Sequence, residues 1–213
     1  YTLYEAIKLL PVALAVLTFY LYPLLIVVSV HFMGRERISP VLALSLVGAF
    51  IGLALALDVG GGGLDTLGIV LSVASAVTFT IIAVSTQPMI ARLGDSRPIN
   101  LHMHYSGLIA FILIDIAIGE YDLPSGTEGW LAYAAVPVFY AIATTSFLIA
   151  LGYIGPVRSS LIMNLEPVMS IIFGFLILGQ VLTPMQLGGA AIVIAAVIAV
   201  KMDGIRKPVV KER

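Results

Sequence analysis

Residues 156–200 read PVRSSLIMNLEPVMSIIFGFLILGQVLTPMQLGGAAIVIAAVIAV. Two apolar runs, each close to the roughly 20 residues that cross a bilayer core, flank a polar turn at 179–186 that contains a proline. The pattern predicts a transmembrane hairpin. Its first run carries Asn164, Glu166 and Pro167, an amide, an acid and a helix breaker, where a purely structural span would carry Leu, Val or Ala. Something is expected to be bound or moved there.

The rest of the chain agrees with a membrane setting. Hydrophobic residues make up 60% of the 213 and charged ones 11%, against about 25% charged in an average soluble domain. Mean hydropathy is +1.09. The apolar runs repeat at membrane length with the charges collected between them, which predicts an all-α, polytopic helix bundle with the lipid bilayer as its partner. The absence of cysteine excludes disulfides and thiolate metal sites. A net charge of −1 argues against a nucleic-acid partner. No cofactor is expected. Tyr1-Thr2-Leu3-Tyr4 has neither an initiator methionine nor a basic leader, so the sequence is expected to be the C-terminal part of a longer chain.

Seven candidate spans follow, at roughly 9–33, 40–57, 66–91, 98–118, 129–152, 158–178 and 185–201. Arg35 and Arg37 follow the first, Arg92 and Arg97 the third, and Arg158 the fifth, while Lys201, Arg206, Lys207, Lys211 and Arg213 follow the seventh. The alternate connections, 58–65, 120–128 and 179–186, contain no Lys or Arg. Positive charge marks the cytoplasmic face, so the C-terminus is expected inside and residue 1 outside. Gly60 to Gly63 lack the Lys-Ser/Thr of a phosphate loop and read as a linker. Two spans precede that linker and five follow it. If the protein is built from equal halves, about three spans are missing from its front.

Sliding the sequence by 144 positions places Tyr22-Pro23 on Glu166-Pro167, Glu36 on Gln180, and Ile38-Ser39-Pro40 on Leu182-Thr183-Pro184 without a gap. Two prolines and a hairpin motif in one register predict an internal repeat. The matching spans lie five helices apart, an odd number, so they would cross the membrane in opposite directions. That is an inverted-topology repeat, in which substrate binds near the midplane between the copies.

Several polar residues lie deep in these spans. Glu166 falls eight residues past Arg158, about 12 Å into the bilayer at 1.5 Å per residue. An acid at that depth costs about 2.5–3.5 kcal/mol on insertion scales and should face a cavity or a partner. Ser159, Met163 and Ser170 fall on its face by helical spacing, which predicts a polar stripe. Tyr20 and Tyr22 occupy the matching depth beside Pro23, Tyr140 and Thr144 share a face of the fifth span, and Thr78 sits midway along the third. Packing or bonding to their own helix would account for these as well. His102 and His104 point apart on a helix and do not suit a metal; His104 reads as a gate or interface residue. Asp115 reads as a solvated acid, and Tyr121, Trp130 and Tyr133 as an outer aromatic belt.

The run Leu165-Glu166-Pro167, the hairpin Leu178-Gly179-Gln180-Val181-Leu182-Thr183, and Gln186 with Gly189 before a last apolar helix resemble the C-terminal signature of the EamA family in the drug/metabolite transporter superfamily. The earlier Tyr22-Pro23 with Gly34-Arg35-Glu36-Arg37-Ile38-Ser39 resembles the hairpin closing that family's first five-helix repeat. The likeness covers about residues 6–200. It implies a ten-helix, 5+5 inverted-repeat transporter with both termini inside, of which this chain supplies seven transmembrane helices and lacks the first three. Residues 1–58 would end the first repeat, 59–65 would link, 66–201 would form the second repeat and 202–213 a basic cytoplasmic tail. Two departures stand out: Gln180 replaces the usual second-hairpin acid, which points to a structural role for it, and Tyr22 replaces a small or apolar residue, which points to the shape of the cavity.

A heptahelical receptor or retinal protein shares the span count, but the last span has no internal lysine for a Schiff base. No HExxH or Walker motif is present, and Asp58, Asp65 and Asp122 lie in outer connections, so no protease or ATP-driven pump is supported. The sequence predicts a plasma (inner) membrane secondary transporter, not an enzyme, that exports a small-molecule substrate such as an amino acid by alternating access. Tyr20, Tyr22, Thr78, Tyr140, Thr144, Met163, Asn164 and Glu166 are its expected substrate contacts, Pro23 and Pro167 its helix breaks.

Overall fold

A computed structural model describes residues 1–35, 38–57, 65–119, 124–178 and 183–202. Gly60 to Gly63, Gln180 and the basic tail lie outside these. All described elements are helical: α1 (Thr2–Leu9), α2 (Val12–Phe19), α3 (Tyr22–Phe32), α4 (Pro40–Ala56), α5 (Thr66–Leu93), α6 (Arg97–Ile118), α7 (Gly126–Met163), α8 (Leu165–Leu178) and α9 (Pro184–Met202). Four stretches are long and apolar enough to cross a membrane: 12–32, 66–93, 97–117 and 126–163. Pro40–Ala56, Leu165–Leu176 and Pro184–Val200 are shorter apolar helices. The protein is a multi-pass, all-helical membrane bundle.

Local chemistry sets the helix ends and breaks. Pro11 and Pro23 cannot donate to a helical ladder; the backbone is extended at Leu10–Pro11, and the ladder is interrupted by a turn at Tyr20–Leu21, where the Leu21 amide reaches Thr18. Further along, the chain is interrupted at Gly155, where φ is 78°, ahead of Pro156, and at Asn164 ahead of Pro167. Pro11 and Gly155, Tyr20 and Asn164, and Pro40 and Pro184 are each 144 apart. Two eight-residue helical segments, 12–19 and 156–163, therefore each lie between two interruptions.

The following helices start alike. Ser39 Oγ accepts from the Leu42 amide at 3.1 Å, and Thr183 Oγ1 accepts from the Gln186 amide at 3.2 Å. Gln186 Oε1 accepts in turn from the Thr183 amide at 3.0 Å, completing a capping box.

The chain divides into two compact units, residues 1–84 with 156–213, and residues 85–155. In the first, α4 packs along α9 through small residues. A Cβ added to Gly189 would lie 2.4 Å from both the Ala56 nitrogen and the Gly52 oxygen, and one added to Gly52 would lie 2.9 Å from Ile192 Cγ2. As α4 is followed backwards from Ala56 to Gly52 its partner advances from Gly189 to Ile192, so the pair is antiparallel. Backbones approach this closely in lipid because packing and weak polar contacts, rather than hydrophobicity, hold helices together there. Ser72 Oγ on α5 donates to the Ala15 carbonyl of α2 at 2.6 Å. In the second unit Ile90, Ile99, Leu148 and Leu151 form a buried cluster with Met103 and Phe147 against it.

Candidate functional site

The interrupted helices of the first unit bring two sequence-distant polar groups together. The Tyr20 hydroxyl donates to Glu166 Oε2 at 3.1 Å. Tyr20 ends α2, where Pro23 has withdrawn the ladder donor, and Glu166 lies in the first turn of α8. That position favours a carboxylate, since the free amides at a helix start carry partial positive charge. Among the described residues Glu166 makes no ion pair. Among the described residues its carboxylate is met by a neutral phenol.

Around the phenol the rings of Phe19, Tyr20, Tyr22 and Phe79 pack into one cluster, with Tyr22 and Phe79 centroids 4.6 Å apart and Tyr20 and Tyr22 5.6 Å apart. Tyr22 is wholly buried, yet its hydroxyl has no hydrogen-bond partner among the described residues. A buried polar atom left so costs about 1–3 kcal/mol, which is tolerated where the group serves a ligand. Ser159 Oγ, on the eight-residue segment 156–163, is likewise buried and unpartnered. Asn164 is buried at the break itself, and its backbone N–H donates to the Leu161 carbonyl at 3.2 Å.

The expected polar stripe is not continuous. It assumed an unbroken helix through 158–178, but the interruption at Asn164 separates buried Ser159 and half-buried Met163 from exposed Glu166 and Ser170. Thr78 is exposed and donates to its own helix at Ala74, 2.8 Å away. The α5 residues that do meet the tyrosines are Phe79 and Thr80, whose hydroxyl lies 3.5 Å from the Tyr22 carbonyl while donating to Ala76. Neither stood out in the sequence, because Thr80 is one of several Ser and Thr residues spread along α5, and such hydroxyls commonly bond their own helix.

The second unit holds its own polar cluster. Asn100 Nδ2 donates to Thr145 Oγ1 at 2.7 Å, joining α6 to α7. His104 Nδ1 lies 2.8 Å from the Asn100 carbonyl, which can only accept, so Nδ1 carries hydrogen. Its Nε2 then lies 3.2 Å from Thr144 Oγ1, which also reaches the Tyr140 carbonyl at 2.9 Å. His104 and Thr144 are thus partners, while the Tyr140 ring is exposed. His102 and Asp115 are exposed, and Trp130 packs edge-on against Tyr133 with centroids 5.8 Å apart. Among the described residues no group of His, Asp or Glu could hold a metal.

Between α5 and α6 a pair of charges serves a turn. Asp95 accepts from the Arg97 amide at 2.9 Å and from its guanidinium at 2.8 Å, and that backbone hydrogen bond, ahead of the side-chain one, holds its carboxyl below the usual range.

Comparison with known proteins bears on what this arrangement is. A solved structure described as "Crystal structure of protein" aligns over 95% of this chain and 73% of its own, with a TM-score of 0.74 at 21% identity, a likeness of fold alone. No curated protein matches the chain significantly. The family model described as the EamA-like transporter family matches residues 66–202, more than half of the chain. A receptor or retinal protein is not favoured by that match. The chain, a membrane protein built of interrupted apolar helices, belongs to the EamA-like transporter family of the drug/metabolite transporter superfamily.

Proposed function

We propose that the chain supplies the last seven helices of a ten-helix, 5+5 inverted-repeat secondary transporter that exports a small metabolite, such as an amino acid or related compound, by alternating access. The observation that carries this reading is the Tyr20–Glu166 hydrogen bond, made between two helices interrupted at positions 144 apart. Paired breaks in matching helices are the setting in which transporters of inverted-repeat design bind substrate. The shared cap at Ser39 and Thr183 supports the same repeat. Residues 1–58 close the first repeat, 59–65 link, 66–201 form the second repeat and 202–213 are a cytoplasmic tail, in a plasma (inner) membrane orientation drawn from the arginine pattern.

Glu166 carries the coupled proton or pairs with a cationic substrate group, with Tyr20, Tyr22, Met163 and Asn164 as the contacts around it. Thr78 contributes through its own helix face; Tyr140 and Thr144 are contacts of the second unit, where His104 holds the interface between α6 and α7. The test is counterflow of candidate metabolites in liposomes holding the intact protein. Glu166→Gln should abolish pH-dependent transport, and a mutant that transports like the wild type from about pH 5 to about pH 8 would refute the coupling role.

A further inference from the structure

α5 contains Pro88. Proline has no N–H, so the carbonyl four residues earlier, that of Val84, has no donor in its own helix. Arg35 Nη1 donates to that carbonyl at 3.0 Å. The arginine is held in place independently. Gly34, with φ of 67°, ends α3 in a left-handed cap whose bonds run from the Gly34 amide to His31 at 2.9 Å and from the Arg35 amide to Val30 at 3.1 Å. A Cβ on Gly34 would meet nothing within 4 Å, so the glycine is needed for its backbone angle alone.

The position of this bond in the chain gives it a role. Val84 is the last residue of the first compact unit and Ser85 the first of the second; the chain returns at Gly155–Pro156. Both crossings therefore fall where a proline has removed a ladder bond, and helices bend most readily at such points. We propose that Arg35 is a latch on a hinge in α5. Bonded to the Val84 carbonyl it holds α5 in the conformation seen here, and its release lets α5 bend during the transport cycle, a role that rests on the transporter reading above. Arg35 is a positioning residue that acts through one carbonyl; it does not touch substrate.

Backbone hydrogen exchange in the intact protein in lipid nanodiscs tests this. Arg35→Ala should speed exchange at amides 85–92 by about 2- to 10-fold, the range one hydrogen bond supports, and leave α4 and α9 unchanged. Arg35→Lys should restore most of the protection, and Gly34→Ala, which displaces the arginine, should resemble Arg35→Ala. Pro88→Ala gives Val84 back its helical donor, so in that background removal of Arg35 should have no effect. The latch is overturned if Pro88→Ala fails to suppress Arg35→Ala, if exchange at 85–92 does not change, or if it rises equally throughout the protein. Because exchange needs no substrate, it separates failure of the latch from failure of the transporter reading, which Glu166→Gln tests.

Discussion

Tyr20 and Glu166 stand 146 residues apart in sequence, and the phenol of one donates to the carboxylate of the other at 3.1 Å. Each lies beside a proline that has interrupted its helix, so the same chemistry that opens the backbone places the polar side chain. Tyr20→Phe removes the donor and keeps the ring cluster. Interhelical hydrogen bonds in membranes are worth about 0.6 kcal/mol on average and about 1.7 at most, so apparent substrate affinity in counterflow should change by roughly three- to eighteen-fold, with the protein's thermal stability in detergent little altered.

Gly189 has no room to grow. Gly189→Ala would drive a Cβ to within 2.4 Å of the α4 backbone, with Ala56 and Gly52 as the obstructing atoms. Backbone cannot rotate aside as a side chain can, so the helices must separate, at about 1–3 kcal/mol for overpacking. Melting monitored by circular dichroism in micelles should show a lower Tm for Gly189→Ala than for Gly188→Ala, whose Cβ would meet nothing within 4 Å.

The Asn100–Thr145 bond ties α6 to α7 at 2.7 Å. Thr145→Val keeps the volume but leaves the Asn100 amide without its acceptor, in a residue whose Oδ1 is already buried and unpartnered. Destabilisation of about 1–2 kcal/mol is expected. Asn100→Ala in the same background should recover part of it, because both unsatisfied partners are then gone. A double-mutant cycle on chemical unfolding measures the coupling.

Asp95 is half-buried at the turn, and its carboxyl titrates below the ordinary aspartate value of 3.8 because the Arg97 backbone amide and then its side chain favour the charged form. Its contribution to the α5–α6 turn is therefore complete above that value and is lost as the pH falls through the lower folded value. Exchange of the Arg97 amide should accelerate in that acidic window beyond its intrinsic pH dependence, and Asp95→Asn should abolish the extra acceleration.

The prolines made much of the architecture legible. Pro23 and Pro167 must break their ladders wherever they fall, so their alignment at one offset anticipated the matching interruptions; Tyr20 and Glu166 were legible as polar groups at matching depth, but the bond between them was not. Burial within an apolar helix left no such trace: Phe79 and Thr80 meet the tyrosines while Thr78 turns away, and nothing in α5's composition distinguishes them. Arg35 was legible only as a charge near one face. Its acceptor depends on a proline in another helix, a relation that exists only after folding.

The glycine-lined approach of α4 to α9 sets a mechanical limit. At Gly189 the α4 backbone itself closes the seam, and no rotamer can relieve a contact with backbone atoms. Shear between them would open a void or a collision at once. Any large motion of this protein must therefore be borne by other joints, with this pair carried along as a single stiff spar.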